Sequence, residues 1–269
     1  MGRNRSQTSN SADFALEQFR CYGWVRISNA FSAKDAAAMC DVIWAALAKV
    51  GIRRNEPSTW TTARPEHLQH LKSDPVFRAI GSERTISAID EVLEGQPWQR
   101  PRDWGAFFLQ FPTGGAWDVP ITGWHIDGDY KGSLLPPSGV KVHAMLTDVG
   151  PRCGATNILS GSHRLLHRWF TENPPPKDAR RGVQFRKWLQ RHPYLRDLCT
   201  RGDPEARLAR FHARVEVVDG IPLQVIENTA TAGDVFLMHS LLLHAGAPAA
   251  HLGTQPRFLL SQDIHQTYW

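Results

Sequence analysis

Apolar residues recur at helical spacing mainly in the first third of the chain. A short helix is predicted over 13–22, followed by a strand over 23–27. Ser32 then stands as an N-cap with Asp35 in the first turn, and Ala36, Met39, Val42, Ile43, Ala46, Leu47 and Val50 return every three or four residues. Such a stripe packs onto a core, and Gly51 closes the helix. After a polar stretch at 53–65, two more short helices are predicted over 74–80 and 83–93, divided near Gly81. From residue 97 onward the pattern changes. Short apolar runs at 105–111, 139–146, 155–159, 214–218, 234–238 and 258–260, several set apart by Gly or Pro turns, predict strands.

Helices first and many short strands afterwards fit a mainly β fold with flanking helices, a sandwich or barrel with the helices packed outside it. No internal repeat is found. One segment, about 161–214, interrupts the strands: Asn173 is followed by three prolines, and a broken helical pattern with Phe185, Trp188, Leu189 and Leu195 covers 183–198. It cannot continue a sheet. A helical insertion of this length is read as a lid or substrate-specificity segment, in which Trp169, Phe170, Phe185 and Trp188 would cover an apolar part of a substrate. The expected organisation is a loose polar tail at 1–12 and a single domain at 13–269.

Composition narrows the class. A chain of 269 residues, 42% hydrophobic, can bury one full core. Residues 1–12 carry no apolar run, so they read as neither signal peptide nor anchor, and no stretch is long and apolar enough for a membrane span. Cys21, Cys40, Cys153 and Cys199 are widely spaced, which suggests neither a disulfide framework nor a zinc ribbon and favours a reducing, cytoplasmic setting. The net charge of +5 is unevenly placed: residues 161–214 hold 13 Lys/Arg against 5 Asp/Glu, a net of +8, leaving −3 for the rest. That surplus would draw an anionic substrate. It also leaves open a basic nucleic-acid-binding module, although no recognisable binding motif accompanies it and a solvated basic face is its ordinary meaning.

Candidate chemistry gathers at two places. In the run 122–128, His125 and Asp127 are two apart, so on an extended strand an imidazole and a carboxylate leave the same face and can hold one metal ion. Alone the pair means little, since about one such spacing is expected by chance. A second histidine would complete a 2-His-1-carboxylate face, with positions left open for substrates. Residues 233–246 offer two, His239 and His244, on one apolar run; five apart on an unbroken strand, they would face opposite ways, and His244 is preferred. Asp129 rivals Asp127, but the two-residue spacing favours Asp127. Arg257, leading the strand 258–260, could face the same pocket and take a carboxylate through two parallel hydrogen bonds. Gln110 is a further candidate whose facing alternation leaves open. His143 and His239 are given structural or supporting roles, and His163 is expected to tie down its turn. A non-catalytic or hydrolytic metal barrel would keep the histidines and dispense with Arg257.

Four blocks in order resemble the phytanoyl-CoA hydroxylase-like branch of the iron(II)- and 2-oxoglutarate-dependent dioxygenases. They are Trp124-His125-Ile126-Asp127; Leu146-Thr147-Asp148 with Cys153-Gly154-Ala155; Leu159-Ser160-Gly161-Ser162-His163-Arg164; and Gly233-Asp234 through His244 to Arg257. The resemblance spans about 107–264. It implies a double-stranded β-helix (jelly-roll, cupin-like) core, with His125, Asp127 and His244 as Fe(II) ligands and Arg257 paired with the distal carboxylate of 2-oxoglutarate. Gln110 is carried as a second cosubstrate contact. The implied reaction uses 2-oxoglutarate and O2 as cosubstrates, releases succinate and CO2, and oxidises an unactivated C–H bond of a small molecule, most often by hydroxylation. Relatives in small-molecule biosynthesis also cyclise, epimerise or desaturate. Two positions depart from the family pattern: Ser160 stands where a proline is usual, and Gly246 where a serine often assists the carboxylate.

Overall fold

The computed structural model describes residues 15–128, 132–174, 182–251 and 255–267; the expected tail at 1–12, Asp129, and residues 175–181 of the insertion lie outside them. Helix α1 covers 15–22 and leads into β1, Trp24–Ile27. Helix α2, Ala33–Ala48, starts as its sequence predicts: the Ser32 side chain accepts from Asp35 N at 3.0 Å. The stretch expected as a helix over 74–80 is instead a tighter 3-10 segment, Pro75–Gly81, with Asp74 capping Val76 N. Helix α3, Glu83–Val92, follows under its own cap, Ser82.

The strands are β2, Ala106–Gln110; β3, Gly139–Met145; β4, Thr156–Ser160; β5, Glu216–Val218; β6, Ile221–Glu227; β7, Val235–His239; β8, His244–Gly246; and β9, Arg257–His265. They form two antiparallel sheets, ordered β1-β7-β3-β9-β2 and β5-β6-β4-β8. Alternation sorts their side chains. On β3, β7 and β9, Val140, Val142, Ala144, Val235, Leu237, Phe258 and Leu260 turn outward to pack with α2 and α3. Met145, Phe236, Met238 and Leu259 turn the other way and meet Ile158 of β4, so one cluster joins both sheets. The inward positions left over on β3 and β9 are polar, and they build the site.

Helices α4 (Ser162–Glu172), α5 (Gly182–Leu189), α6 (Pro193–Leu198) and α7 (Pro204–Arg207), with a short π-helical segment, Leu208–His212, are the described helices of the insertion. Phe170, Phe185 and Trp188 stack on one another and are buried with Leu223 and Val225 of β6 on the outer face of the second sheet. Three of the four aromatic side chains suggested as a substrate cover are therefore core, and Trp169 packs, partly buried, against the same cluster. The reason is that α4 is amphipathic, and the outer face of β4 and β6 is the apolar surface beside it. Several arginines of this segment are also engaged internally: Arg186 donates to Cys199 O, Arg168 to Asp219 O, and Arg210 pairs with Asp197 and Glu216.

Arg207 ties the insertion to the chain that carries His125. It is 5% exposed and donates to the carbonyls of Asp197, Leu198 and Thr200, to Val119 O at 3.0 Å and to Asp118 at 3.2 Å. Arg207→Met removes every one of these donors while filling much of the volume. It is expected to lower unfolding free energy by about 3 kcal/mol in denaturant titration. Arg201→Met, at an exposed position, should change it by less than about 0.5 kcal/mol.

Candidate active site

His125 does not lie on a regular strand. It forms a single antiparallel bridge with His244, each backbone N donating to the other's carbonyl at 3.0 Å. The extended geometry is nonetheless kept: Trp124 and Ile126 are buried in the outer cluster, and His125 and Asp127 turn together toward the interior of the fold. The apolar run at 235–243 is broken after His239, and β8 restarts at His244 opposite Ile158. The two histidines expected to face opposite ways on one strand are thus on different strands. His239 stacks with Phe19, packs against the tilted ring of His163, receives Leu241 N at its Nδ1 and places Nε2 3.1 Å from Leu134 O. Its surroundings are structural. His163 holds Arg20 O at 3.1 Å, anchoring the first turn of α4 to α1, and Ser160 accepts from the Trp24 indole.

His125, Asp127 and His244 bring one donor atom each within 4.8 Å of one another, the one such group of three among the described residues. His244 Nε2 is 3.1 Å from Asp127 Oδ2 and His125 Nε2 is 3.9 Å from Oδ1. The Nδ1 atoms lie 2.7 Å from Gly123 O and 3.0 Å from Leu242 O. A carbonyl only accepts, so each ring carries a proton on Nδ1 and turns Nε2, the atom that can ligate a metal, toward Asp127. Two imidazole lone pairs and a carboxylate, oriented by backbone carbonyls, fit a divalent iron. Burial alone would raise the Asp127 carboxyl, but the His244 hydrogen bond and the charges of His244, Lys141 and His125 outweigh it and hold it well below the usual carboxylate range.

These groups open on a cavity of about 400 Å³, a volume within the roughly 300–1,000 Å³ of small-molecule sites. Across it stand inward residues of β9 and β3: Arg257, Leu259, Ser261, Lys141 and His143. Arg257 is buried, gives one hydrogen bond to Thr156 Oγ1 at 3.3 Å, and leaves its Nε without a partner. Burial, and then the charge of Arg64, pull its pKa down to about 9. Gln110 shares Arg257's face, because the two are register partners. Its amide is engaged with Arg64 and with Phe111 O.

Two charged wall residues went unassigned by sequence reasoning. Lys141 bridges Asp127 at 3.0 Å and Asp263 at 2.7 Å, and a charge inside the apolar run 139–146 was a legible sign of it. Arg64 reaches the cavity from a polar loop whose sequence carries no signal.

The family model described as phytanoyl-CoA dioxygenase (PhyH) matches residues 19–257. The chain belongs to the phytanoyl-CoA dioxygenase family. It is accordingly an Fe(II)- and 2-oxoglutarate-dependent enzyme of the oxygenase type, with O2 as the second cosubstrate. No curated protein matches it in sequence. Among solved structures it is similar to the epimerase SnoN in complex with Fe3+, alpha ketoglutarate and nogalamycin RO, with a TM-score of 0.59 and 16% identity over 96% of this chain and 84% of that one. It is also similar to AviO1 from Streptomyces viridochromogenes Tue57, with a TM-score of 0.55 and 15% identity over 95% of each chain. HygX from Streptomyces hygroscopicus, with nickel, 2-oxoglutarate and hygromycin B bound, gives 0.51 and 16% over 95% and 88%. At such identities the likeness is one of fold, the jelly-roll of this dioxygenase family. Among the family member's described residues, no helix is long and apolar enough to cross a membrane.

Proposed function

We propose that this enzyme oxidises an unactivated C–H bond of a small molecule, hydroxylating it, with His125, Asp127 and His244 holding the iron and Arg257 anchoring 2-oxoglutarate. One observation carries the reading: a two-histidine, one-carboxylate cluster and a buried arginine with an unpartnered Nε open on the same cavity. When bound, iron with 2-oxoglutarate and O2 supplies the oxidising power, and succinate and CO2 leave.

The chain's own residues do the rest. The carbonyls of Gly123 and Leu242 fix the imidazole orientations, and Lys141 holds Asp127 in place through Oδ2, the oxygen that His244 also faces. Arg257 offers a planar fork to a carboxylate, and its burial makes that pairing strong because water cannot compete for it. Leu109 and Leu259 give the cavity an apolar wall, and Phe108, half exposed, stands at its mouth. An amphipathic organic substrate suits such a lining better than a purely ionic one. The site is assigned to small molecules on the cavity's size and lining.

A substrate screen read by succinate release tests the reading. The expected result is succinate formed with Fe(II), 2-oxoglutarate and O2, raised by the true substrate in step with a product gaining one oxygen atom. A product formed without succinate would overturn it.

A further inference from the structure

Arg64 lies in no helix or strand, yet it lines the same cavity as Arg257. Its Nε donates to Gln110 Oε1 at 2.8 Å, and Gln110 is in turn the register partner of Arg257. Its Nη2 reaches the space beside Gly246: a carbon added there would lie 3.1 Å from it. Gly246 faces Thr156 across β8 and β4, and Thr156 accepts from Arg257. Gln110, Arg257, Thr156 and Gly246 therefore form one continuous wall, with Arg64 laid over it. The absence of a side chain at position 246 leaves Arg64 its place.

Two guanidinium groups thus face one cavity, and among the described residues neither has a carboxylate within 4.0 Å. Like charges are brought together in a partly dry site only at a cost, and a single anion lying between them would offset it for both. Arg257 is buried, with its Nε unpartnered, so the anion's place is on the inner side of the pair. Arg64 is an exposed residue, which suits a group that contacts a ligand from the solvent side.

We propose that Arg64 is a second arginine for the distal carboxylate of 2-oxoglutarate, seated over Gly246 and oriented by Gln110, so that this carboxylate is held between Arg64 and Arg257. The inference rests on the reading of Arg257 given above. Gln110 is then a positioning residue that acts through Arg64. The carboxylate is recognised by its charge and planarity, which two forks read from two directions.

Anaerobic calorimetric titration of the Fe(II)-loaded protein tests it, with 2-oxoglutarate and with 2-oxobutanoate, which keeps the keto acid and lacks the distal carboxylate. In Arg64→Met, affinity for 2-oxoglutarate should fall about tenfold, the loss of one partly exposed charge-assisted contact, while affinity for 2-oxobutanoate and iron content stay as in the wild type. Arg64→Lys, which keeps the charge without the fork, should fall between the two. An Arg64→Met protein that binds 2-oxoglutarate as the wild type does, while Arg257→Ala does not, overturns the role of Arg64 and leaves that of Arg257 standing. Equal losses for both keto acids would also overturn it, placing Arg64 at the other end of the cosubstrate. Unchanged 2-oxoglutarate binding in both arginine variants would remove the anchor assignment beneath it as well. Arg64 lies in an exposed loop, so Arg64→Met should unfold at the wild-type temperature, and this melt separates loss of contact from loss of fold.

Discussion

His244→Ala is expected to purify folded and without iron. The substitution removes one of three donors that lie within 4.8 Å of one another, and it leaves Asp127 beside Lys141 as a simple ion pair. Losing a partner that only orients a metal ligand costs roughly 10- to 100-fold in affinity, so losing a ligand itself should exceed about 100-fold. His239→Ala is the matched control. It removes a buried ring that accepts from Leu241 N and contacts Leu134 O, so it should lower stability by about 1–3 kcal/mol and leave iron content unchanged. Elemental analysis after reconstitution, together with a denaturant titration, distinguishes the two variants. Iron lost from His239→Ala alone would transfer the third ligand to the other histidine.

Arg257→Ala should raise the 2-oxoglutarate concentration needed for half-saturation by roughly 30- to several-thousand-fold, the equivalent of about 2–5 kcal/mol for a buried charge-assisted pair, with iron binding little altered. The large expected effect follows from the setting. A guanidinium that is buried and already disfavoured by burial and by Arg64 gains more from a carboxylate than an exposed one would. Arg257→Lys should stay impaired, because an ammonium cannot make two parallel hydrogen bonds and its shorter reach leaves Thr156 Oγ1 without its donor. The measurement is an anaerobic binding titration, which separates cosubstrate affinity from turnover. An unchanged titration in both variants would remove Arg257 from the site.

The inward-facing chemistry was legible where it followed strict spacing. His125 and Asp127 are two apart and share a face even though only one backbone bridge forms there, because the flanking Trp124 and Ile126 must be buried on the opposite side. His244 was chosen over His239 by strand alternation, whereas the structure separates them by a break: the turn at 240–243 starts a new strand in the other sheet. Strand β6 was not foreseen, although its burial alternates at every residue. Pro222 sits inside it, tolerated beyond the last residue of β4, where only β5 pairs with it. The lid aromatics were misplaced because an amphipathic helix shows that a face is buried and not what buries it. Arg64 had no local signature: its meaning arises only when the loop after α2 meets the glycine of β8, and that proximity is tertiary.

The surplus of positive charge at 161–214 reads differently with partners in view. Arg186, Arg207 and Arg210 donate to carbonyls and to Asp197 of the same segment, and Arg210 also pairs with Glu216 of β5, so part of the apparent anion attraction is internal scaffolding. The arginines facing the cavity, Arg64 and Arg257, come from outside this segment.

The most direct measurement is visible absorption during anaerobic addition of 2-oxoglutarate to the Fe(II)-loaded protein, since an iron-bound 2-keto acid gives a charge-transfer band that neither component gives alone. The account predicts a band that saturates with 2-oxoglutarate at one equivalent of iron per chain, is absent in His244→Ala, persists in His239→Ala, and requires far more 2-oxoglutarate in Arg257→Ala. A folded wild-type protein that binds iron yet shows no band at saturating 2-oxoglutarate, or a band undiminished in His244→Ala, would contradict it.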